Sequence, residues 1–257
     1  MDKGICLLGV IPVRKSPESM SELVTQLLWG ETFKILDQTK KWYFIKSCFD
    51  NYEGWVYENQ VSLLNDKQID WLSSAESTVT ESIFGSVTEL STGKVFIVPA
   101  GSELFNFNDG DFLLGRQTYK YEGSVVYNSN QKNPSDYARL FLNAPHMWGG
   151  RTIMGIDCSG LTQIACKMAG IKISRDSYLQ ADEGKLVHFH HETKPGDIMF
   201  FDDREGIINH VGIALDNGLI IHACGKVRID SVDQQGIYNA EKKKYTHQLR
   251  FIKRMMS

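Results

Sequence analysis

Short alternating runs dominate the first half of the chain. "ETFKILDQ", "KWYFIKSC" and "EGWVYENQV" alternate apolar and polar residues and are separated by turn-like breaks, the pattern of half-buried strands. "GKVFIVPAG", "DGDFLLGRQ" and "GSVVYN" continue it further along. "ICLLGVIPV", near the start, falls far short of the roughly 18 apolar residues of a membrane helix. It also lacks a basic leader and a small-residue cleavage site, so it reads as a buried strand. The pattern predicts two small all-β barrels in tandem, over residues 1–65 and 66–128, and a boundary in the polar, proline-containing "SNQKNPSD" at 129–136.

From there the periodicity changes. "PSDYARLFLNA" predicts a helix over 134–144, capped by Ser135 or Asp136. A second helix follows "GIDCSGLTQ" at 155–163. Leu161, Ile164, Ala165 and Met168 recur at i, i+3, i+4 and i+7, which makes one apolar face, and Gly170 ends it. Asp157 suits the N-cap, which places Cys158 in the first turn. "DIMFF", "HVGIAL" and "LIIHA" then predict strands, the last two flanking the turn signal "DNG". Residues 129–257 therefore read as an α+β domain, helices packed on an antiparallel sheet.

Composition adds little: 42% hydrophobic and 23% charged residues are ordinary for a globular chain. A formal net charge of −3 gives no reason to expect nucleic acid as a partner. The five cysteines, Cys6, Cys48, Cys158, Cys166 and Cys224, have no metal-like spacing, and four of them read as small buried apolar residues. "VHFHHE" gathers His188, His190 and His191 without partner cysteines, in a polar connector, so no metal is predicted.

Cys158 differs in its placement. A helix N-terminus favours an anion, as does a neighbouring imidazole, so a thiolate is expected there. His210 and His222 lie on the two strands that flank "DNG". A two-residue turn would put them on opposite faces. A three-residue loop, Asp216-Asn217-Gly218, pairs Leu215 with Leu219 and sets His222 opposite Gly212, with His210 as its diagonal neighbour on the same face. Diagonal neighbours have Cα atoms roughly 7–8 Å apart, within reach of two imidazoles. Gly218 suits the left-handed position of such a loop, so the odd-length loop is predicted. His210 would then accept the proton of Cys158, His222 would orient His210, and the Cys158 backbone N–H would stabilise an oxyanion. A strand histidine beside a small residue also serves as a hydrogen-bonded core group, and that alternative stands for each histidine taken alone.

Read in order, "WGG" at 148–150, "GIDCSGLTQ", "KPGDIMFF" at 194–201, "NHVGIAL" and "LIIHA" resemble the NlpC-type cysteine peptidases of bacterial cell-wall metabolism. The resemblance implies a papain-like fold and the catalytic set Cys158, His210 and His222. Upstream, "SELVTQLLWGE" and "EGWVYENQV" resemble the first of two bacterial SH3-like domains in the muropeptide-trimming subgroup, the dipeptidyl-peptidases VI. That subgroup cuts the γ-D-glutamyl–diamino acid bond of peptides with a free N-terminal L-alanine.

The implied partners are short peptidoglycan-derived peptides, without cofactor or metal, acted on by a monomer. Glu22, Tyr57 and Asp176 would meet the free ammonium, and Asp157, Ser159 and Ser177 would hold the dipeptide backbone and the D-glutamate carboxylate. Each has a plainer role: Asp157 as a helix cap, Asp176 as a partner of Arg175, Glu22 as a solvated carboxylate, Tyr57 as barrel surface. One departure is His146 in "PHMWGG", where an aromatic such as tyrosine is common in the family. Two other classes keep the same residues: a wall-binding module with an unreactive Cys158, and an amidase or acyltransferase on the same Cys–His scaffold.

Overall fold

The alternating stretches of the first 65 residues form seven strands in the computed structural model, which describes residues 2–127, 132–203 and 205–255. These are β1 (Lys3–Ile5), β2 (Val10–Arg14), β3 (Leu23–Leu28), β4 (Thr32–Thr39), β5 (Trp42–Ser47), β6 (Glu53–Tyr57) and β7 (Ser62–Leu64). They make one antiparallel sheet, ordered β3-β2-β6-β5-β4-β1-β7. "ICLLGVIPV" supplies two strands instead of one. It breaks around Gly9, which passes so close to the Ile97 carbonyl that a Cβ there would lie 2.2 Å from its oxygen. Cys6, Ile11, Val13, Leu27, Phe33, Ile45 and Val56 fill the interior.

Residues 66–128 are not all strand. Asn65 accepts from the Gln68 N–H and the Gln68 side chain accepts from the Asn65 N–H, a reciprocal cap that starts helix α1 (Asp66–Ser74). Strands β8 (Ser77–Val79), β9 (Phe84–Glu89), β10 (Val95–Pro99), β11 (Glu103–Phe105), β12 (Asp111–Leu114) and β13 (Gln117–Glu122) follow, as a four-stranded and a two-stranded sheet. Trp29 and Ile5, from the first strand set, are buried in the same cluster as Val87, Val98, Phe112 and Tyr119 from the second. The two strand sets therefore share a core, and residues 1–130 form a single compact unit; residues 131–257 form the other. Residues 128–131, within the expected boundary stretch, lie outside the described residues.

In the C-terminal unit, helix α2 (Pro134–Arg139) is shorter than predicted and is capped by Asn133, ahead of both expected caps. Asn133 Oδ1 accepts from the Ser135 N–H at 3.0 Å and Asp136 accepts from the Asn133 N–H at 3.2 Å. Pro134 then occupies the first helical position, where its missing N–H costs nothing. After the short hairpin β14 (Arg151–Thr152) and β15 (Gly155–Ile156) comes α3 (Cys158–Met168), capped by Asp157 as predicted. The expected single apolar face is exceeded: every residue of α3 from Ser159 to Met168 is buried. It packs on α2 and on the sheet, so it is a core helix and not a surface one. Gly170, at φ +75°, ends it. A short helix, α4 (Ser177–Gln180), and β16 (Lys185–Val187) lead into the main sheet.

That sheet contains β17 (Ile198–Asp202), β18 (Ile208–Ala214), β19 (Leu219–Cys224), β20 (Lys226–Val232), β21 (Gly236–Asn239) and β22 (Lys244–Arg254). Each pairs with the next, and β22 also pairs with β17, so the six close into an antiparallel barrel, with β16 attached to β22. Met199, Phe201, Ala214, Ile220, Val232, Ile237 and Ile252 fill it. Helix α3 lies against β18 and β19. The α+β reading thus takes the form of a largely β structure with a closed barrel. Among the described residues no helix is long and apolar enough to cross a membrane.

Candidate active site

The hairpin β18–β19 carries the predicted register. Gly212 faces His222, Ile213 faces Ile221, and the Leu215 N–H donates to the Leu219 carbonyl at 2.8 Å. The connecting loop is Asp216-Asn217-Gly218, with Asn217 and Gly218 both at positive φ. Gly212 is needed opposite the histidine: a Cβ there would lie 3.0 Å from that of His222 and 2.7 Å from Ile220 Cδ1. His210 and His222 meet at 2.8 Å, Nε2 to Nδ1, with their rings nearly perpendicular. Both are buried.

Cys158 opens α3, and α3 lies against the strand that carries His210. The backbone N–H groups of Val211, next to His210, and of Ser159 favour the ionised sulfur. Two influences oppose the thiolate that the helix start favours. Burial, then the Asp157 carboxylate beside it, push its pKa up to about 12, against the weaker pull of those N–H groups and Arg175. Burial also lowers His210 well below the ordinary imidazole range, helped by His247, His222 and His146. Burial thus favours the uncharged form of each group.

Asp157 does more than cap a helix. One carboxylate oxygen accepts from the Gly160 N–H at 2.6 Å and from Arg175 at 3.0 Å; the other accepts from the Gly149 N–H at 2.7 Å and from Arg175 at 2.6 Å. The buried fork of Arg175 also donates to Ser159 Oγ at 2.8 Å. One ion pair thus ties the "WGG" loop to the first turn of α3. The glycines explain the closeness: a Cβ at Gly160 would lie 2.3 Å from the Gly150 carbonyl oxygen. Gln180 anchors α4 to the same turn, donating to the Ser159 carbonyl at 3.0 Å and accepting from Thr162 at 2.8 Å. Asp176 and Ser177, at the start of α4, are half-buried beside it.

Ser159 follows Cys158 in the first turn of α3, α4 is tied to that turn through Gln180, and the Asp157 carboxylate is already engaged by protein donors. Glu22 and Tyr57 belong to the N-terminal unit. There Glu22 pairs with Lys15 at 3.2 Å and Tyr57 packs edge-on against Trp42.

Three nearby groups escape the sequence reading. Asp230, on β20, lies 3.0 Å from His222 Nε2 and is paired with Arg228. His247, on β22, stacks on His210 with ring centroids 4.2 Å apart. The "KVRIDSV" alternation, traced one hairpin further, would have put Arg228 and Asp230 on the face of His222; His247 needed the barrel closure, which no local pattern carries.

Burial lowers the His247 pKa to about 4. A folded value below the unfolded one, about 6.5, means that the stability it contributes is present above pH 6.5 and is lost as pH falls to 4. The expected loss is about 2 kcal/mol after allowance for its partial exposure. Urea unfolding at pH 7 and pH 4.5 should show a smaller decline in His247→Phe than in the wild type; equal declines would refute the assignment.

Residues 143–249 match the NlpC/P60 family, and residues 13–61 match the bacterial dipeptidyl-peptidase Sh3 domain. Dipeptidyl-peptidase 6 of Lysinibacillus sphaericus is 24% identical over 247 residues, covering 85% of this chain and 88% of that protein. A gamma-D-glutamyl-L-lysine dipeptidyl-peptidase of Bacillus cereus is 26% identical over 236 residues, covering 79% and 68%. The crystal structure of an NlpC/P60 family protein from Bacillus cereus has the same fold, with a TM-score of 0.84 at 19% identity over 99% of this chain and 100% of that one. The C-terminal unit of this chain is therefore an NlpC/P60 peptidase-family domain, and its N-terminal unit carries a bacterial dipeptidyl-peptidase SH3 domain.

Proposed function

We propose that this chain is a cysteine peptidase that hydrolyses the γ-D-glutamyl–diamino acid bond of short peptidoglycan-derived peptides with a free N-terminal L-alanine, releasing L-Ala-γ-D-Glu. The observation that carries the reading is Cys158 at the start of α3, packed against the strand that carries His210, with His210 itself 2.8 Å from His222. With burial favouring the uncharged form of each partner, the proton moves as the bond forms. Cys158 Sγ attacks the γ-carbonyl carbon while His210 takes the thiol proton. The Cys158 N–H faces the developing oxyanion. His210 then protonates the departing amine, which leaves a thioester of L-Ala-γ-D-Glu. Water, deprotonated by His210, releases the dipeptide and restores the thiol.

Lysine is the favoured diamino acid, on the names of the Bacillus relatives. The resemblance assigns Glu22, Tyr57 and Asp176 to the ammonium end, and Ser159 and Ser177 to the D-glutamate. The Asp157 carboxylate, with both oxygens engaged by protein groups, would act by holding Ser159 and the "WGG" loop in place. An N-acylated peptide offers no cation to these carboxylates and leaves polar groups unmatched, a discrimination of about 1–3 kcal/mol or more. The expected outcome is cleavage of L-Ala-γ-D-Glu-L-Lys, with N-acetyl-L-Ala-γ-D-Glu-L-Lys cut at least about tenfold more slowly in kcat/KM. Equal rates, read by liquid chromatography of the products, would sink the terminal-amine reading and leave an amidase on the same Cys–His pair.

A further inference from the structure

Neither the motifs nor the proposed catalytic set contain Asp230, yet the hydrogen-bond directions of the site begin there. Its carboxylate is buried on β20, directly across the strand pair from Ile220. Arg228 grips it from the same strand, Nη2 donating to Oδ1 at 2.9 Å and Nε lying 2.8 Å from Oδ2. Burial pushes the Asp230 pKa upward, but the bonds from His222 and Arg228 outweigh it and hold the carboxyl below its usual range. An ionised carboxylate only accepts hydrogen bonds.

From that one fact the protons follow in order. Oδ2 lies 3.0 Å from His222 Nε2, so Nε2 carries the hydrogen. A neutral His222 then has a bare Nδ1, which must accept from the nitrogen 2.8 Å away, Nε2 of His210. Neutral His210, with its hydrogen on Nε2, has Nδ1 as its only lone-pair nitrogen. The opposite arrangement would set two acceptors, or two donors, against each other in a buried site. The remaining charged and titratable groups around the pair impose no competing direction. His247 contacts His210 through its ring face, His146 acts on His210, Lys242 acts on His247, and Glu241 pairs with Arg228.

We infer that Asp230, clamped by Arg228, is the positioning residue that sets the tautomers of His222 and His210 and so leaves His210 Nδ1 as the nitrogen that takes the Cys158 proton. This rests on the Cys–His reading above. A carboxylate that served only to neutralise Arg228 would affect stability and leave the tautomers free.

The test is nitrogen NMR of the full chain with labelled histidines near pH 7.5. Both His222 and His210 are expected as Nε2–H tautomers in the wild type; His222 with its hydrogen on Nδ1 would overturn the inference without any variant. In Asp230→Asn, with Arg228 holding the amide oxygen, the amide NH₂ faces His222 Nε2 and should drive His222 to the Nδ1–H form. On the tripeptide, kcat should fall roughly 10–100-fold with KM within about twofold. The acid limb of kcat/KM should move to lower pH, because an imidazolium loses its nearby anion. Asp230→Glu should recover part of the rate. An active wild type whose Asp230→Asn variant keeps its kcat, its pH profile and both tautomers would refute the inference. A wild type that cleaves no peptide while showing both Nε2–H tautomers would instead refute the peptidase reading and leave the proton assignment intact.

Discussion

Cys158→Ala is expected to reduce turnover of L-Ala-γ-D-Glu-L-Lys by roughly 10⁴–10⁶-fold, to the level that binding and the oxyanion N–H supply unaided. The change removes one sulfur from a half-buried position at a helix start. It leaves the features that form the turn in place: the Asp157 cap on the Gly160 N–H and the burial of α3 from Ser159 onward. The urea midpoint should therefore stay close to that of the wild type. A variant that folds and still cleaves would assign the chemistry to another group. Burial and the adjacent Asp157 carboxylate push the thiol up to about 12, so the proposed mechanism has His210 receive the proton during attack.

The second large effect is on stability. Arg175→Met should cost about 3–5 kcal/mol, because it strands the Asp157 carboxylate, buried and without its charge partner. The loss is larger than for a surface ion pair, since both side chains lie inside the protein and the guanidinium bonds both oxygens of the carboxylate. Arg175→Lys should recover only part of it, a single ammonium being unable to reproduce the fork and the bond to Ser159 together. Urea unfolding reads the difference. A loss under about 1 kcal/mol for Arg175→Met would mean that the "WGG" loop and the first turn of α3 are held by the backbone bonds alone.

The parts of this site that are legible in the sequence are those governed by local chemistry. Asp157 before Cys158 is a cap because its side chain reaches an N–H three residues on, and "DNG" sets an odd loop because two successive residues there take positive φ. Helix α1 was equally legible in "NDKQ", but the strand-like character of its surroundings overrode the cap signal. Helix α2 stops at Arg139, although apolar residues continue to Ala144 and suggest more turns. The direction of the Cys158 pKa opposes the local rule. A helix start favours a thiolate, but desolvation and the adjacent carboxylate are stronger, and the burial of α3 on every side appears only in three dimensions. Arg228 and Asp230 lie one regular hairpin beyond His222, within reach of the alternation, whereas His247 reaches the site through the barrel closure, whose register shifts single-chain periodicity does not encode.

Sealing the barrel has a consequence for the order in which the site assembles. β17 and β22 are separated by more than forty residues, and the seam between them is the longest-range pairing among the six barrel strands. Pairings of that reach bear the largest loop-closure entropy and form late, after nearby hairpins such as β18–β19. Until β22 docks, His210 lacks the stacked His247 ring and the half-made cylinder has two open flanks. The dry surroundings of the two histidines are thus completed by the final seam, although the strands that carry them adjoin in the chain.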